Sequence, residues 1–440
     1  MKKIASTLLA LVMTASLAAG CGSTPAATDG SASASASTSA AASASSESKA
    51  PEAPKLEGSI TFLTHRTDKA DNVLTDIAKE FMAQNPGVEI AVEPNKDDNV
   101  LKTRIAAGEL PDIMFVPQQL GMTRKDYPTY FVDIGDLGYT KDNTYFYENG
   151  TGPDGKLYTL AIGMNYSGVV YSKPAFKAAG IEKAPQTREE WEAACQKLKD
   201  KGIVPIASNF KDKWPLSAYA DGSYQDNMTG LDNYKNTLVD KDQYLIDEPG
   251  SVLDGLKLLR DFNGKGFFEK DLMSTNWDGC KKDIAQGATA MAALGTWFPP
   301  QVVENGANAD DIGMFPWPGS KALVNGGDIM YGVTTNSKYP DTAKAFFAFM
   351  WQDGYMPIKV GMIPVNKDYQ PDSAFLKELL SFNLPIVEGV ADTAEYQTLK
   401  NKAQIDNTVM AQEYVTAANP QEVVDKYNKM WTDAKAALGK

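Results

Sequence analysis

The chain has 440 residues, 43% of them hydrophobic and 22% charged, with 35 Gly and 24 Pro. These proportions fit a soluble globular protein and exclude a fibrous or wholly disordered one, and the length calls for two lobes or domains of roughly 100 to 200 residues each. Lys and Arg number 43 against 56 Asp and Glu, a formal net charge of -13, and that excess repels a phosphate backbone, so nucleic acid is not an expected partner.

At the N-terminus, Lys2 and Lys3 precede an uncharged apolar run over 4–19, short for a membrane span and flanked like a secretory signal, which predicts a signal peptide over 1–20. The run ends Leu17-Ala18-Ala19-Gly20-Cys21, small residues before a Cys, which resembles the lipobox of bacterial lipoproteins. That resemblance implies a lipidated Cys21 holding the protein on the extracellular face of the cell membrane, where two acyl chains suffice and one is marginal. An ordinary secretory signal followed by an incidental Cys is the other reading. Residues 21–55 are dominated by Ser, Ala, Thr and Pro, with the repeat Ser31-Ala32-Ser33-Ala34-Ser35-Ala36-Ser37. Such a segment buries too little apolar surface to offset its ordering entropy, and we expect a disordered tether.

From residue 56 strands and helices alternate. A strand over 59–63 leads to a helix that Thr67 or Asp68 can cap, with Val73, Ile77 and Phe81 recurring at i+4 and Asn85-Pro86-Gly87 as its stop. A strand over 88–92 completes a βαβ unit, which predicts a parallel sheet with helices on its faces. A helix through Leu101 and Ile105 and a strand over 112–116 repeat the pattern. Ligands of such sheets sit beyond the carboxyl ends of strands, here 64–66 and 117–119. A long apolar stretch covers 161–171. Thr187-Arg188-Glu189-Glu190 reads as a capping box opening a helix through Trp191, Ala194 and Leu198, followed by a strand over 203–207. A buried strand over 288–294 breaks at Gly295 before Trp297. Asp341 is the expected cap of a helix over 342–351, and a last helix starts near Gln421.

Chemistry that needs clustered ligands or a triad has little to work with. His65 is the one His, and Cys21, Cys195 and Cys280 are the only cysteines, too scattered for a zinc site. No metal or cofactor is expected. With Cys21 lipidated, Cys195 and Cys280 are the only pair available; Cys195 lies in a helical pattern and Cys280 in a loop-like one, and both read as free. No nucleophile elbow or phosphate loop is present.

Several ordered blocks carry a family likeness. They are Ala106-Ala107-Gly108-Glu109-Leu110-Pro111-Asp112-Ile113, then Asn165-Tyr166-Ser167-Gly168-Val169-Val170-Tyr171-Ser172-Lys173-Pro174-Ala175-Phe176, then Gly287-Ala288-Thr289-Ala290-Met291 running to Gly295-Thr296-Trp297, then Ile312-Gly313-Met314-Phe315-Pro316-Trp317-Pro318-Gly319, and finally a Gly326-Gly327 strand leading into the helix at Asp341. In this order they resemble the family 1 extracellular solute-binding proteins of bacterial ABC transporters, whose best-known members bind maltose and other sugars. Ser172 stands where the family's central signature usually has Asn or Asp, and the preceding apolar strand carries Gly163.

The resemblance implies an α/β, two-lobed periplasmic-binding-protein-like fold of type II, its lobes joined by several hinge crossovers. It places an N-terminal lobe at 56–163 plus 316–362 and a C-terminal lobe at 164–315 plus 363–440. It also implies a monomer that captures a mono- or oligosaccharide in the interlobe cleft and passes it unaltered to the permease subunits of an ABC transporter, with no catalysis. A sugar needs aromatic plates for its C–H face and planar groups for its hydroxyls. The candidates are His65 and Arg66 after the first strand, Gln118 and Gln119 after the third, Asn165 before the signature Tyr171, Trp297 and Phe298 at the family's stacking position, and Trp317 and Asp328 flanking the second crossover. Trp214 and Trp277 rank lower. Three other functions stay open: a secreted carbohydrate-active enzyme using a pair of carboxylates, capture of another solute such as a polyamine, and a purely structural lipoprotein.

Overall fold

The computed structural model describes residues 55–440; the expected signal peptide, Cys21 and the tether up to residue 54 lie outside the described residues. Runs of apolar residues with few breaks dictate the strands, as expected when both faces of a sheet are covered. Eleven are described: β1 (Gly58–Thr64), β2 (Val88–Pro94), β3 (Ile113–Phe115), β4 (Leu160–Ala161), β5 (Met164–Ser172), β6 (Val204–Ile206), β7 (Thr289–Gly295), β8 (Ile312–Phe315), β9 (Leu323–Gly327), β10 (Met330–Val333) and β11 (Ile386–Glu388).

They form two sheets. The first has the order β2-β1-β3-β10-β4, with β1 parallel to β2 and β3, and β10 antiparallel to β3 and β4. The second has the order β11-β9-β5-β7-β6, with β8 also paired to β5. The expected two-lobed α/β architecture is therefore present, one sheet to each lobe. The chain passes between the sheets at three places. Ile162 and Gly163 join β4 to β5, Asp328 and Ile329 join β9 to β10, and the stretch over 360–373 leads from helix Tyr355–Lys359 to helix Ala374–Leu380, which packs on β8.

The second crossover lies later than the expected 316. Leu323 and Val324 are buried, and β9 pairs with β5 and β11, which keeps the chain with the second sheet until Gly327. Three local expectations also change. The segment after β1 opens with a π-turn over Ala70–Leu74 before helix Thr75–Gln84, and neither Thr67 nor Asp68 caps it; the Asp68 carboxylate is held by the Arg66 guanidinium at 2.9 and 2.8 Å instead. Helix Pro340–Trp351 takes Pro340 at its first position, where the missing N–H costs nothing, so Asp341 sits in the first turn and does not cap. Cys280 lies on helix Trp277–Ala285, which Asn276 caps through the Gly279 N–H at 2.8 Å, and not in a loop. Thr187 and Glu190 do form the capping box of helix Arg188–Asp200. Cys195 and Cys280 are both buried free thiols.

The crossovers run side by side. Ile162 N–H donates to Ile329 O at 2.9 Å, Asp328 N–H to Gly163 O at 2.9 Å, and Met164 N–H to Ile363 O at 2.8 Å. Gly163 is at the meeting point, and a β-carbon there would lie 2.6 Å from Met362 Cβ and 2.8 Å from Ile363 O. Gly163→Ala should therefore destabilise the fold by ~1–3 kcal/mol through overpacking, seen as a lower melting temperature in calorimetry; an unchanged melting temperature would show that the crossovers are not in close contact.

Candidate functional site

The carboxyl end of β1 delivers Thr64, His65 and Arg66 to the crossover region. Thr64 is fully buried, and its Oγ1 lies 3.0 Å from Tyr331 Oη. His65 Nδ1 is 2.6 Å from the same phenolic oxygen, and its ring leans against Phe115 and Tyr331 at centroid distances of 5.8 and 5.7 Å. Burial pushes the His65 imidazole down to about 4, against the opposing pull of the Asp328 carboxylate. Arg66 is spent largely inside the protein: its fork grips Asp68, and Nη1 donates to Val360 O at 3.0 Å on the third crossover.

Asp328 begins the second crossover and Asn165 lies just past the first. Asn165 Nδ2 donates to Asp328 Oδ2 at 2.9 Å, and Asp328 Oδ1 accepts the Ile329 N–H at 2.7 Å. Asn165 Oδ1 is buried without a partner, an acceptor that costs free energy until some donor reaches it. One strand away, Thr296 and Tyr166 exchange hydrogen bonds, Thr296 N–H to Tyr166 O at 2.9 Å and Tyr166 N–H to Thr296 Oγ1 at 3.2 Å. β7 ends at Gly295, and at Trp297 the backbone has already turned helical to open helix Phe298–Glu304.

Trp297 belongs to a group of three indoles. Its ring centroid lies 5.8 Å from Trp214 and 5.7 Å from Trp277, and those two are 4.9 Å apart. Gly295 makes room for it, since a β-carbon there would come within 2.5 Å of Trp297 Nε1. Trp277 N–H donates to Asp212 Oδ2 at 2.6 Å, which ties the loop before Trp214 to the helix that Trp277 opens. Lys213, next to Trp214, has φ +62°, a conformation costly for a residue with a β-carbon. Trp214 is 40% exposed, the most open of the three. Helix Phe298–Glu304 continues from Trp297, and Glu304 ends it with an ion pair at 2.5 Å to Lys69, beyond β1. A single connection thus spans from the second sheet's indoles to the first sheet's strand ends.

The structure brings together His65, Arg66, Asn165 and Asp328 around the crossovers, and groups Trp297 with Trp214 and Trp277. It places Phe298 and Trp317 in the core. Phe298 is fully buried, its ring against Trp277 at 5.1 Å. Trp317 is a core residue, not a cleft plate: it is 1% exposed, donates through Nε1 to Ser167 Oγ at 2.7 Å, and is enclosed by Trp191, Tyr219 and Tyr224. Gln118 and Gln119 project from a short turn, exposed, with Gln119 Nε2 bonded to Asp98 at 3.2 Å. Sequence reasoning missed Tyr331 and underrated Trp214 and Trp277. A Tyr inside the apolar run Met330–Val333 must place its hydroxyl somewhere, and that was the available signal for Tyr331.

Two outcomes follow. His65 is the single His of the chain, so its ring signals in proton NMR are unambiguous, and they should titrate near pH 4; a midpoint at or above the ordinary 6.5 would contradict its burial. With the folded value depressed, the folded state binds fewer protons here than the unfolded chain between pH ~6.5 and ~4, so the contribution of His65 to stability is complete above that window and is lost as pH falls through it. Gly295→Ala should displace the Trp297 indole and shift the intrinsic fluorescence of the protein, whereas an unaltered emission spectrum would mean that the ring does not rest on Gly295.

Comparison with known proteins places this architecture. A 27% identical relative over 317 residues, covering 69% of this chain and 73% of its own length, is the multiple sugar-binding protein of Streptococcus mutans. Among solved structures, a manno-oligosaccharide specific solute binding protein of Bifidobacterium animalis subsp. lactis, in complex with mannotriose, superposes with a TM-score of 0.74 at 24% identity over 87% of this chain and 95% of that one. The raffinose complex of RafE superposes with a TM-score of 0.68 at 20% identity over 86% of this chain and all of the other. Residues 67–357 match the family described as bacterial extracellular solute-binding protein. With that match spanning more than half of its length, two sheets and three crossovers between them, this chain belongs to the bacterial extracellular solute-binding proteins.

Proposed function

We propose that the protein captures a mono- or oligosaccharide between its two lobes and hands it on, chemically unchanged, to the membrane subunits of an ABC transporter. The first lobe is taken as 56–163 with 328–362 and the second as 164–327 with 363–440, closing about the crossovers. Cys21 carries the lipid that keeps the protein at the outer face of the cell membrane. The reading is supported by two groups, the partly exposed indoles Trp214, Trp277 and Trp297 and the polar set His65, Arg66, Asn165 and Asp328 at the crossovers, connected through helix Phe298–Glu304 and its ion pair to Lys69. Indoles cover the apolar C–H face of a pyranose, while amide, imidazole and carboxylate groups bridge its hydroxyls. The sugar-binding relatives and the oligosaccharide complexes of similar fold support the same ligand class.

A dissociation constant near a micromolar corresponds to about -8 kcal/mol, within reach of one or two stacked rings and a few hydrogen bonds at about 1 kcal/mol or more each, net of the costs of association. Calorimetry of the mature protein with mannotriose and raffinose should show one-to-one binding of at least one of them, and chromatography of the same mixture should return the sugar intact. Accumulating hydrolysis products would establish an enzyme instead. Trp297→Ala should weaken that binding at least tenfold without altering the circular dichroism spectrum; equal affinity would remove the ring from the site.

A further inference from the structure

The hydrogen-bond chain beneath His65 has a direction that the buried protons impose. Arg66 N–H donates to Thr64 Oγ1 at 3.0 Å, so that hydroxyl oxygen already accepts one bond. Thr64 is fully buried, and among the described residues the acceptor its own proton can reach is Tyr331 Oη, 3.0 Å away. Tyr331 is buried as well, and its oxygen also accepts the His65 backbone N–H at 3.3 Å. With two bonds accepted, the phenolic oxygen has one proton to give, and His65 Nδ1 stands 2.6 Å from it. The reverse assignment, with Nδ1 protonated and Tyr331 donating to Thr64, strands the Thr64 proton in the interior, where an unmade hydrogen bond is costly. In the favoured arrangement the imidazole proton is on Nε2. That nitrogen has no partner among the described residues, and it is not one of the side-chain atoms sealed from solvent without a partner.

We infer that Tyr331 is a positioning residue that fixes His65 as a hydrogen-bond donor through Nε2, so that this point of the cleft takes an acceptor oxygen of the ligand. The depressed basicity of the ring agrees, since it keeps the imidazole neutral at physiological pH. An ether or hydroxyl oxygen of a saccharide satisfies such a donor. The ammonium of a polyamine, which has only protons to offer, does not. The inference rests on the proposed function for the ligand class, whereas the tautomer itself follows from the hydrogen bonds alone.

Nitrogen NMR of protein labelled at its single His decides it without any ligand. At pH 7 the ligand-free wild type should show Nε2 protonated and Nδ1 bare, and Tyr331→Phe, which removes only the hydroxyl, should lose that separation as both tautomers become populated. Protonation at Nδ1 in the wild type would overturn the inference even if the variant failed to fold, and so would an unchanged spectrum in a folded Tyr331→Phe protein. Spermidine added to the wild type should leave both ring signals in place, and a shift would overturn the preference for an acceptor. Because the tautomer is read without ligand, failure of mannotriose and raffinose to bind would refute the proposed function and leave the donor assignment standing.

Discussion

Among the described residues, the polar groups proposed to meet a ligand are organised by three backbone segments lying side by side between two sheets. Their mutual hydrogen bonds, Ile162 to Ile329, Asp328 to Gly163 and Met164 to Ile363, are short and regular, and Gly163 lets them approach to a distance that any β-carbon would forbid. A change of a few torsions at these crossovers turns one sheet against the other with little loss of packing inside either lobe, which is how hinged proteins move. Two candidate ligand groups, Asn165 and Asp328, are sited on or just beyond the same segments and bonded to each other at 2.9 Å. In the proposed closure, polar groups placed at the crossovers shift least.

The electrostatics of the site are muted by internal partners. Arg66 is matched by Asp68, Lys69 by Glu304, and His65 is held neutral by burial. What is left to face a ligand is a set of oriented dipoles and rings, with the Asp328 carboxylate itself bonded to Asn165 and to its own loop. That balance suits an uncharged, hydroxyl-rich molecule, whose recognition depends on direction more than on charge. The buried, unpartnered Asn165 Oδ1 is the one acceptor here that the folded chain leaves unsatisfied, and a polar atom in that position is consistent with a site whose last hydrogen bond comes from outside.

Much of the fold was legible because apolar runs and stop signals are local. The strands at β1, β2, β3 and β7, the capping box at Thr187 and the last helix all follow from residues a few positions apart. What escaped depends on distant partners. A strand at Gly326-Gly327 was expected, but its place in the second sheet is set by β5 and β11, which flank β9. The π-turn at Ala70–Leu74 follows an Asp68 diverted to Arg66 and a Lys69 tied to Glu304. Within the site, Trp297 and Trp317 looked alike, each an indole beside prolines after a buried strand. Their difference is set by neighbours remote in sequence: Trp191, Tyr219 and Tyr224 enclose Trp317, while Gly295 seats Trp297 beside Trp214 and Trp277. Gln118 and Gln119 lie exposed just past the carboxyl end of β3, where the rule about strand ends puts them.

In the proposed function the crossovers are the hinge and the saccharide bridges the two lobes. Small-angle X-ray scattering of the mature protein, with and without a saturating oligosaccharide that calorimetry shows to bind, measures that directly. The account predicts a smaller radius of gyration in the bound state, as the lobes draw together over the sugar. Superimposable profiles in the two states would contradict it.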